Sequence, residues 1–576
     1  MPGLDFEKLS PYQKRQFVPD IADLKDKETL VRLYQKLADR KVHSSAELEQ
    51  WLLDRSELDA VLDQTQSTLY IRMTCQTDHQ EYAASYKNFV ENLSPIIKAW
   101  EDRLNQKYLK ESRTFPLAVK KSGRYEVYDR ALRAEAELFR EENIPLSTEV
   151  ELLSQEYQTI SGAMTVQFRE KEHTLPEMGK YQQEPDRFLR EAAWRATAER
   201  RLADRDRLDE LFEKMLKLRH KIAGNAGCES FCDYQFKAYH RFDYTPADCR
   251  KYHQAMAEVV VPVWKKIIAR RKKQMNLDKL RPWDLQVDPL DRSALKPFLQ
   301  VDELVKGVTE IFTRIDPALG KEIASMAAEG LLDLASRKGK APGGYQNTLA
   351  EARKPFIFMN AVGVDSDVRT LLHEGGHAFH AVAAAAEPIH DYRHAPLEFC
   401  EVASMSMELL GGEYLSVFYN EEDRVRSRKI HLEGVIQVLA WVATVDAFQQ
   451  WIYAHPRQTR AHREKAWLEI YRRFGGELVD WSGLEQFEAR LWHRQLHIFE
   501  VPFYYIEYGI AQLGALQIWR NARQNLPVTL AQLQSAFALG GSRPLPELFV
   551  AAGLKFDFSK STIAPLVDMV AKELGI

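Results

Sequence analysis

Apolar residues recur at intervals of three and four over residues 24–140, as in LVRLYQKLADRKV and ELEQWLLDRSELDAVL, and strict alternation is scarce. The pattern predicts long helices. Ser44 with Glu47, and Thr148 with Glu151, have the spacing of capping boxes and predict helix starts near 45 and 149. MTVQFREKEHTLPEMG brings Thr, Val and Phe together with turn residues, so a small strand excursion is expected near 163–180. The following DRFLREAAWRATAERRLADRDRLDELFEKMLKLRHKIA reads as one long helix that stops at GNAG (224–227), where Gly and Asn tolerate positive φ. PWDLQVDPLDR (282–292) and GGYQNTLAEARKPFIFMNAVG (343–363) are the clearest candidates for extended structure, and from 367 onward helices return, interrupted at LGGSRPLPEL (539–548). No fixed-period repeat or low-complexity tract is visible.

Composition narrows the class. With 576 residues, 45% hydrophobic and 28% charged, the chain reads as a soluble globular protein with a sizeable core, which excludes disordered, collagen-like and small disulfide-rich proteins. At roughly 100–200 residues per domain, length alone suggests about three or four domains. A net charge of -4 offers no field for steering onto nucleic acid or an anionic membrane. The basic run KKIIARRKK (265–273) is interleaved with Ile267 and Ile268, the pattern of a helix with one buried face. The N-terminus lacks a basic segment followed by an apolar one, and no apolar run approaches the roughly 18 residues that span a bilayer. Five cysteines are few and odd in number, and Cys228, Cys232 and Cys249 lack a fourth soft ligand at metal-site spacing, so core thiols are expected. These features predict a cytoplasmic protein whose partners are neither nucleic acid nor membrane; oligomeric state leaves no mark on the sequence.

The chemistry concentrates in TLLHEGGHAFHAV. His373 and His377 stand four apart, one helical turn, so both imidazoles can reach one metal ion, while Glu374 projects about 100° round and suits a base beside the metal. Gly375 and Gly376 sit in mid-helix at a cost of about 1 kcal/mol each relative to alanine, which predicts another backbone passing close by. A catalytic zinc site needs a third protein ligand. Downstream, PLEFCEVASMSMELL is helical in pattern and places Glu398, Glu401 and Glu408 on one side. His380, seven residues after His373, is expected to pack nearby rather than bind metal.

HEGGH (373–377) followed by Glu401, Ser404 and Glu408 resembles the H-E-x-G-H and E-x-x-S-x-x-x-E pair of the thimet oligopeptidase and oligoendopeptidase F family, and within it the bacterial Pz-peptidase-like oligoendopeptidases. A second resemblance lies in HIFEVPFYYIEYGIAQLGALQIW, where His497, Tyr505 and Tyr508 match by type and approximate spacing, with Tyr504 as a neighbour. The match extends through NAGCESFCDY and RFDYTP (225–246), GGYQNT and LGGSRPLPELFVAAG (539–553); over the first 150 residues only helical character is shared.

The resemblance implies a mainly α, zincin-like metallopeptidase. A helical N-terminal domain (1–190) and a catalytic domain (191–576), with a small β-sheet beside the HExxH helix, would enclose a deep channel that admits short peptides. It implies one zinc ion per chain held by His373, His377 and Glu401, with Glu398 and Glu408 behind the ligands. Glu374 would be the general base on a zinc-bound water, and His497, Tyr505 and Tyr508 would stabilise the oxyanion. Gly343, Gly344 and Tyr345, on a natural edge strand, would lie near the peptide. The implied activity is hydrolysis of internal bonds in short unfolded peptides. A dipeptidyl carboxypeptidase of the same family and a non-catalytic peptide-binding module are the alternatives, and cobalt or manganese can replace zinc in such a donor set.

Overall fold

The computed structural model of the chain describes residues 5–117, 123–337, 339–341 and 343–576. It is mostly helical, with two small sheets. Internal packing divides it into two compact units, each assembled from three segments: Met1–Ala136, Leu295–Arg428 and Ala511–Phe556 in the first, Glu137–Ala294, Lys429–Ile510 and Asp557–Ile576 in the second.

In the first unit the N-terminal helices bury Tyr34, Trp51, Leu58, Trp100 and Tyr128 in one core. Ser44 caps the helix Ser45–Cys75 as its sequence suggests, its hydroxyl accepting the Glu47 N–H. Three strands, β3 (Leu332–Ala335), β4 (Tyr345–Leu349) and β5 (Lys354–Ala361), form a sheet in the order β3-β5-β4. β5 runs parallel to β3 and antiparallel to β4, with Tyr345 opposite Phe358 and Leu349 opposite Lys354. The nearly unbroken apolar run of β5 suits a central strand buried on both faces, and β4 is left at the edge. β5 leads directly into the helix Asp365–Ala383. There the Asp367 carboxylate accepts the N–H groups of Val362, Gly363 and Val364 at 2.8–3.0 Å, satisfying donors at the helix start. Beneath it packs Val301–Ile315, whose buried Leu304, Val308, Ile311, Phe312 and Ile315 make one helical face.

The second unit contains the hairpin of β1 (Thr165–Phe168) and β2 (Lys171–Thr174), the excursion expected near 163–180. Three expectations fail. The long helix predicted from 186 is two, Arg187–Ala203 and Arg205–Asn225: Asp204 leaves helical geometry at φ -97°, ψ 10° and pairs with Arg200. No helix begins near 149, because Thr148 lies inside the helix Asn143–Gly162 with its hydroxyl bonded to the Ile144 carbonyl. No strand forms over 282–292. Pro282–Asp284 is instead a short 3-10 turn organised by the fully buried Asp284 carboxylate, which takes two hydrogen bonds from Arg187 at 2.8 and 2.9 Å, one from Arg190 at 3.3 Å and the Arg281 N–H at 2.9 Å.

A fourth correction concerns apolar length. The helix Glu421–Ala454 contains an 18-residue window of mean hydropathy 1.3, long and apolar enough to cross a membrane by composition. Gln437, Thr444 and Asp446 interrupt the run without lowering its average below that range. Within the fold 56% of the window is buried, as in the core helix of a globular protein. The basic run 265–273 lies on the helix Val261–Gln274, which buries Ile267 and Ile268.

Burial by itself would raise the Asp284 pKa, but the hydrogen bonds from Arg187, Arg281 and Arg190 outweigh it and hold the carboxyl below its usual range. Its contribution to stability is therefore complete above the unfolded carboxylate value, about pH 4, and lost as pH falls through the depressed folded value. Asp284→Ala strips the buried Arg190 of its anionic partner. We expect denaturant unfolding at neutral pH to show a loss of about 3–5 kcal/mol, a deficit that shrinks toward strongly acidic pH.

Candidate metal centre

Two helices of the first unit build the centre: Asp365–Ala383, carrying HEGGH, and Leu397–Gly411, carrying the glutamates. They touch where no side chain intervenes. A Cβ on Gly376 would lie 2.6 Å from both the Ala403 carbonyl oxygen and Ser404 Cα, so only glycine permits this approach. The close backbone predicted from the paired glycines is thus the glutamate helix. Gly375 faces the Phe312 ring, which a Cβ would meet at 2.7 Å.

At this contact His373 Nε2 lies 3.3 Å and His377 Nε2 3.7 Å from the same atom, Glu401 Oε2. One ligand atom from each of the three residues falls within 4.8 Å of the others. The groups behind them are equally placed. Glu408 Oε1 lies 2.7 Å from His373 Nδ1, the Cys400 backbone bonds the His377 imidazole, and the Ser404 hydroxyl lies 2.9 Å from Glu401 Oε2. Both rings present Nε2 to the convergence point, and His373 is held there through its Nδ1, the arrangement that orients metal-binding histidines. Glu398, expected behind the ligands, is buried one turn before Glu401.

Burial lowers both imidazoles and takes His377 to about 4. For His373 the same burial is overcome by hydrogen bonds to Glu401 and Glu408, which hold its pKa well above the usual value. Burial would raise Glu401, yet His373, His377 and Ser404 together hold it low. Two imidazoles and a carboxylate, backed by Glu408, the Cys400 backbone and Ser404, fit a zinc-class ion with one position open.

Glu374, only 7% exposed, is the neighbouring acid. Burial pushes its pKa up to about 7, opposed by the His373 charge and by a hydrogen bond from the Gln346 backbone of β4. Edge strand and base are therefore in contact. Gly343, at φ +96°, and Gly344 lead into β4, and the Tyr345 ring stacks on Phe358 with its hydroxyl 2.6 Å from Thr74 Oγ1. His380 is buried against the Phe537 ring at 4.6 Å and stays out of the ligand set.

His497, Tyr505 and Tyr508 form a cluster of their own in the second unit. Ring centroids of Tyr505 and Tyr508 lie 4.7 and 5.9 Å from His497, and Tyr504 joins at 6.0 Å. The state of His497 is fixed by a relay that the sequence did not disclose. Trp441 Nε1–H donates to Gln495 Oε1 at 3.0 Å, which directs the Gln495 amide to donate to His497 Nδ1 at 2.7 Å. The imidazole hydrogen therefore resides on Nε2. Burial lowers the His497 pKa to about 4, so the ring is a neutral donor at physiological pH, and burial also raises Tyr505 to about 12.

Glu408→Ala frees His373 to rotate. Zinc affinity, read by competition with a chromogenic chelator, should fall by about 10–100-fold while far-UV circular dichroism is unchanged.

The chain is similar to known peptidases in sequence and in fold. Curated relatives include oligopeptidase PepF of Bacillus subtilis, 31% identical over 181 residues, which is 30% of this chain and 26% of that protein. An oligoendopeptidase F homolog of Borreliella burgdorferi is 24% identical over 306 residues, 50% of this chain and 49% of that protein. The chain thus spans about half or less of the curated relatives it matches. In three dimensions it resembles Pz peptidase A, solved with an inhibitor, with a TM-score of 0.88, 26% identity and 99% of each chain covered. The profile of the peptidase M3 N-terminal domain matches residues 19–119. With the profile of peptidase family M3 matching residues 180–566, HEGGH and Glu401 included, the chain belongs to peptidase family M3.

Proposed function

We propose that the chain is a zinc-dependent endopeptidase that hydrolyses internal bonds of short unfolded oligopeptides. The observation that carries this reading is the convergence of both Nε2 atoms on Glu401 Oε2, with the buried Glu374 beside them on the same helix. Family membership and the oligopeptidase names of its relatives support peptide hydrolysis.

One zinc ion would be held by His373, His377 and Glu401, oriented by Glu408 and Ser404, with Glu398 buried behind the ligands. When bound, it supplies Lewis acidity toward water and the scissile carbonyl. The remaining chemistry belongs to the chain. Glu374 takes the proton of the attacking water and delivers it to the leaving amine, and burial that lifts its pKa to about 7 suits a group that must both accept and release a proton near neutrality. His497, Tyr505 and Tyr508 are assigned, from the sequence resemblance and their mutual packing, as donors to the developing oxyanion, a role worth about 3–4 kcal/mol per donor in comparable sites. The neutral Nε2–H of His497 supports that assignment. The edge of β4, with Gly343, Gly344 and Tyr345 at its start, offers main-chain hydrogen bonds that hold an extended peptide without reading its side chains. A cytoplasmic location belongs to the same proposal, supported by five cysteines that are all free thiols.

A peptide blocked at both termini tests the reading. Internal cleavage, lost to a chelator and restored by zinc, is expected. Glu374→Gln should retain zinc and lose turnover by about 10²–10⁴-fold. Cleavage indifferent to the chelator, or full activity in Glu374→Gln, would overturn the mechanism; cleavage only of peptides with a free C-terminus would replace the endopeptidase by a dipeptidyl carboxypeptidase.

A further inference from the structure

A second group of metal-ligating side chains lies in the first unit, away from HEGGH in sequence. Asp63, on the helix Ser45–Cys75, meets His390 and His394, which flank the 3-10 turn His390–Arg393 and precede the glutamate helix. His390 Nε2 lies 3.0 Å from Asp63 Oδ2, and one ligand atom from each of the three residues falls within 4.8 Å of the others. Zinc bonds of 2.0–2.1 Å in tetrahedral geometry set ligand atoms about 3.3 Å apart, so the Asp63–His390 pair already has ligand spacing. His394 is exposed, and its ring centroid is 5.8 Å from that of His390; a side-chain rotation closes the set.

The supporting groups repeat the plan of the HEGGH centre. There Glu408 backs a histidine Nδ1 and Ser404 holds the ligand carboxylate. Here Asp391 Oδ1 lies 3.6 Å from His390 Nδ1, and Ser67 Oγ donates to Asp63 Oδ1 at 3.1 Å. The His390 backbone N–H is anchored on Ser56 Oγ at 3.3 Å. The neighbouring Arg393 is engaged elsewhere, donating to the carbonyls of Glu387, Ala350 and Pro388. A donor set of two imidazoles and one carboxylate selects a borderline transition-metal ion over magnesium or calcium, which prefer oxygen alone.

We infer that Asp63, His390 and His394 form a second binding site for a zinc-class divalent ion, one that fastens the segment leading into the glutamate helix onto the helix Ser45–Cys75. It uses none of the residues assigned to catalysis and stands independently of the proposed activity. In place of the proton shared by His390 and Asp63, the ion would bridge three side chains drawn from two distant parts of the chain.

Metal analysis of the full chain, loaded with zinc and freed of excess by gel filtration, tests the inference. Wild type should hold two equivalents, and His394→Ala and Asp63→Asn one each. His377→Ala should keep the equivalent that His394→Ala loses, and added zinc should raise the thermal midpoint of His377→Ala but not of the His377→Ala/His394→Ala double variant. Because His394 is exposed, its replacement tests binding without disturbing the core. One equivalent in wild type that His394→Ala retains, uptake only at millimolar zinc, or two equivalents retained in His394→Ala would each overturn the site.

Discussion

The centre depends on one steric fact: two helices meet backbone to backbone at Gly376. With any larger residue at that position a Cβ would stand 2.6 Å from the Ala403 carbonyl and Ser404 Cα. The glutamate helix would have to move outward, and Glu401 Oε2 would no longer sit within 3.3 and 3.7 Å of the two imidazoles. Two glycines in a helix cost about 2 kcal/mol together. What offsets that cost is a buried, mutually bonded set of ionisable groups, since burial makes any misplacement of a ligand carboxylate expensive.

The same packing sets the proton affinities. Burial acts on Glu374, His373, His377 and Glu401 alike, but neighbours divide them. Glu401 and His373 face each other and share a hydrogen bond, so each stabilises the other's charge. Glu374 lies to the side, where its principal neighbours are another carboxylate and the His373 charge, and burial prevails. An acid with a raised pKa beside an acid with a lowered one is the division of labour that a base and a ligand require. The sheet contributes through its edge strand β4, whose Gln346 backbone bonds Glu374.

Much of this was legible in the sequence because helical geometry is periodic. Four-residue spacing puts His373 and His377 on one face, and mid-helix glycines announce a close neighbour before the neighbour is known. Part of what failed was governed by distant contacts. The 282–292 segment looked extended until Arg187 and Arg190, nearly a hundred residues upstream, gathered its Asp284 into a turn. The helix break at Asp204 and the helix running through Thr148 are local choices with no apolar signature. The Trp441–Gln495 bond of the relay spans 54 residues, and the Asp63–His390 pair spans 327, so neither spacing carries a motif. The apolar window within Glu421–Ala454 is not a continuous apolar run, because scattered polar residues interrupt it while its average stays high.

The most direct test of the central claim is anomalous diffraction at the zinc edge from crystals of the zinc-loaded protein. The account predicts a peak bonded to His373 Nε2, His377 Nε2 and a Glu401 carboxylate oxygen at about 2.0–2.2 Å, with Glu374 adjacent and not ligating. The absence of density at that point, or an ion coordinated by Glu374 in place of Glu401, would contradict it.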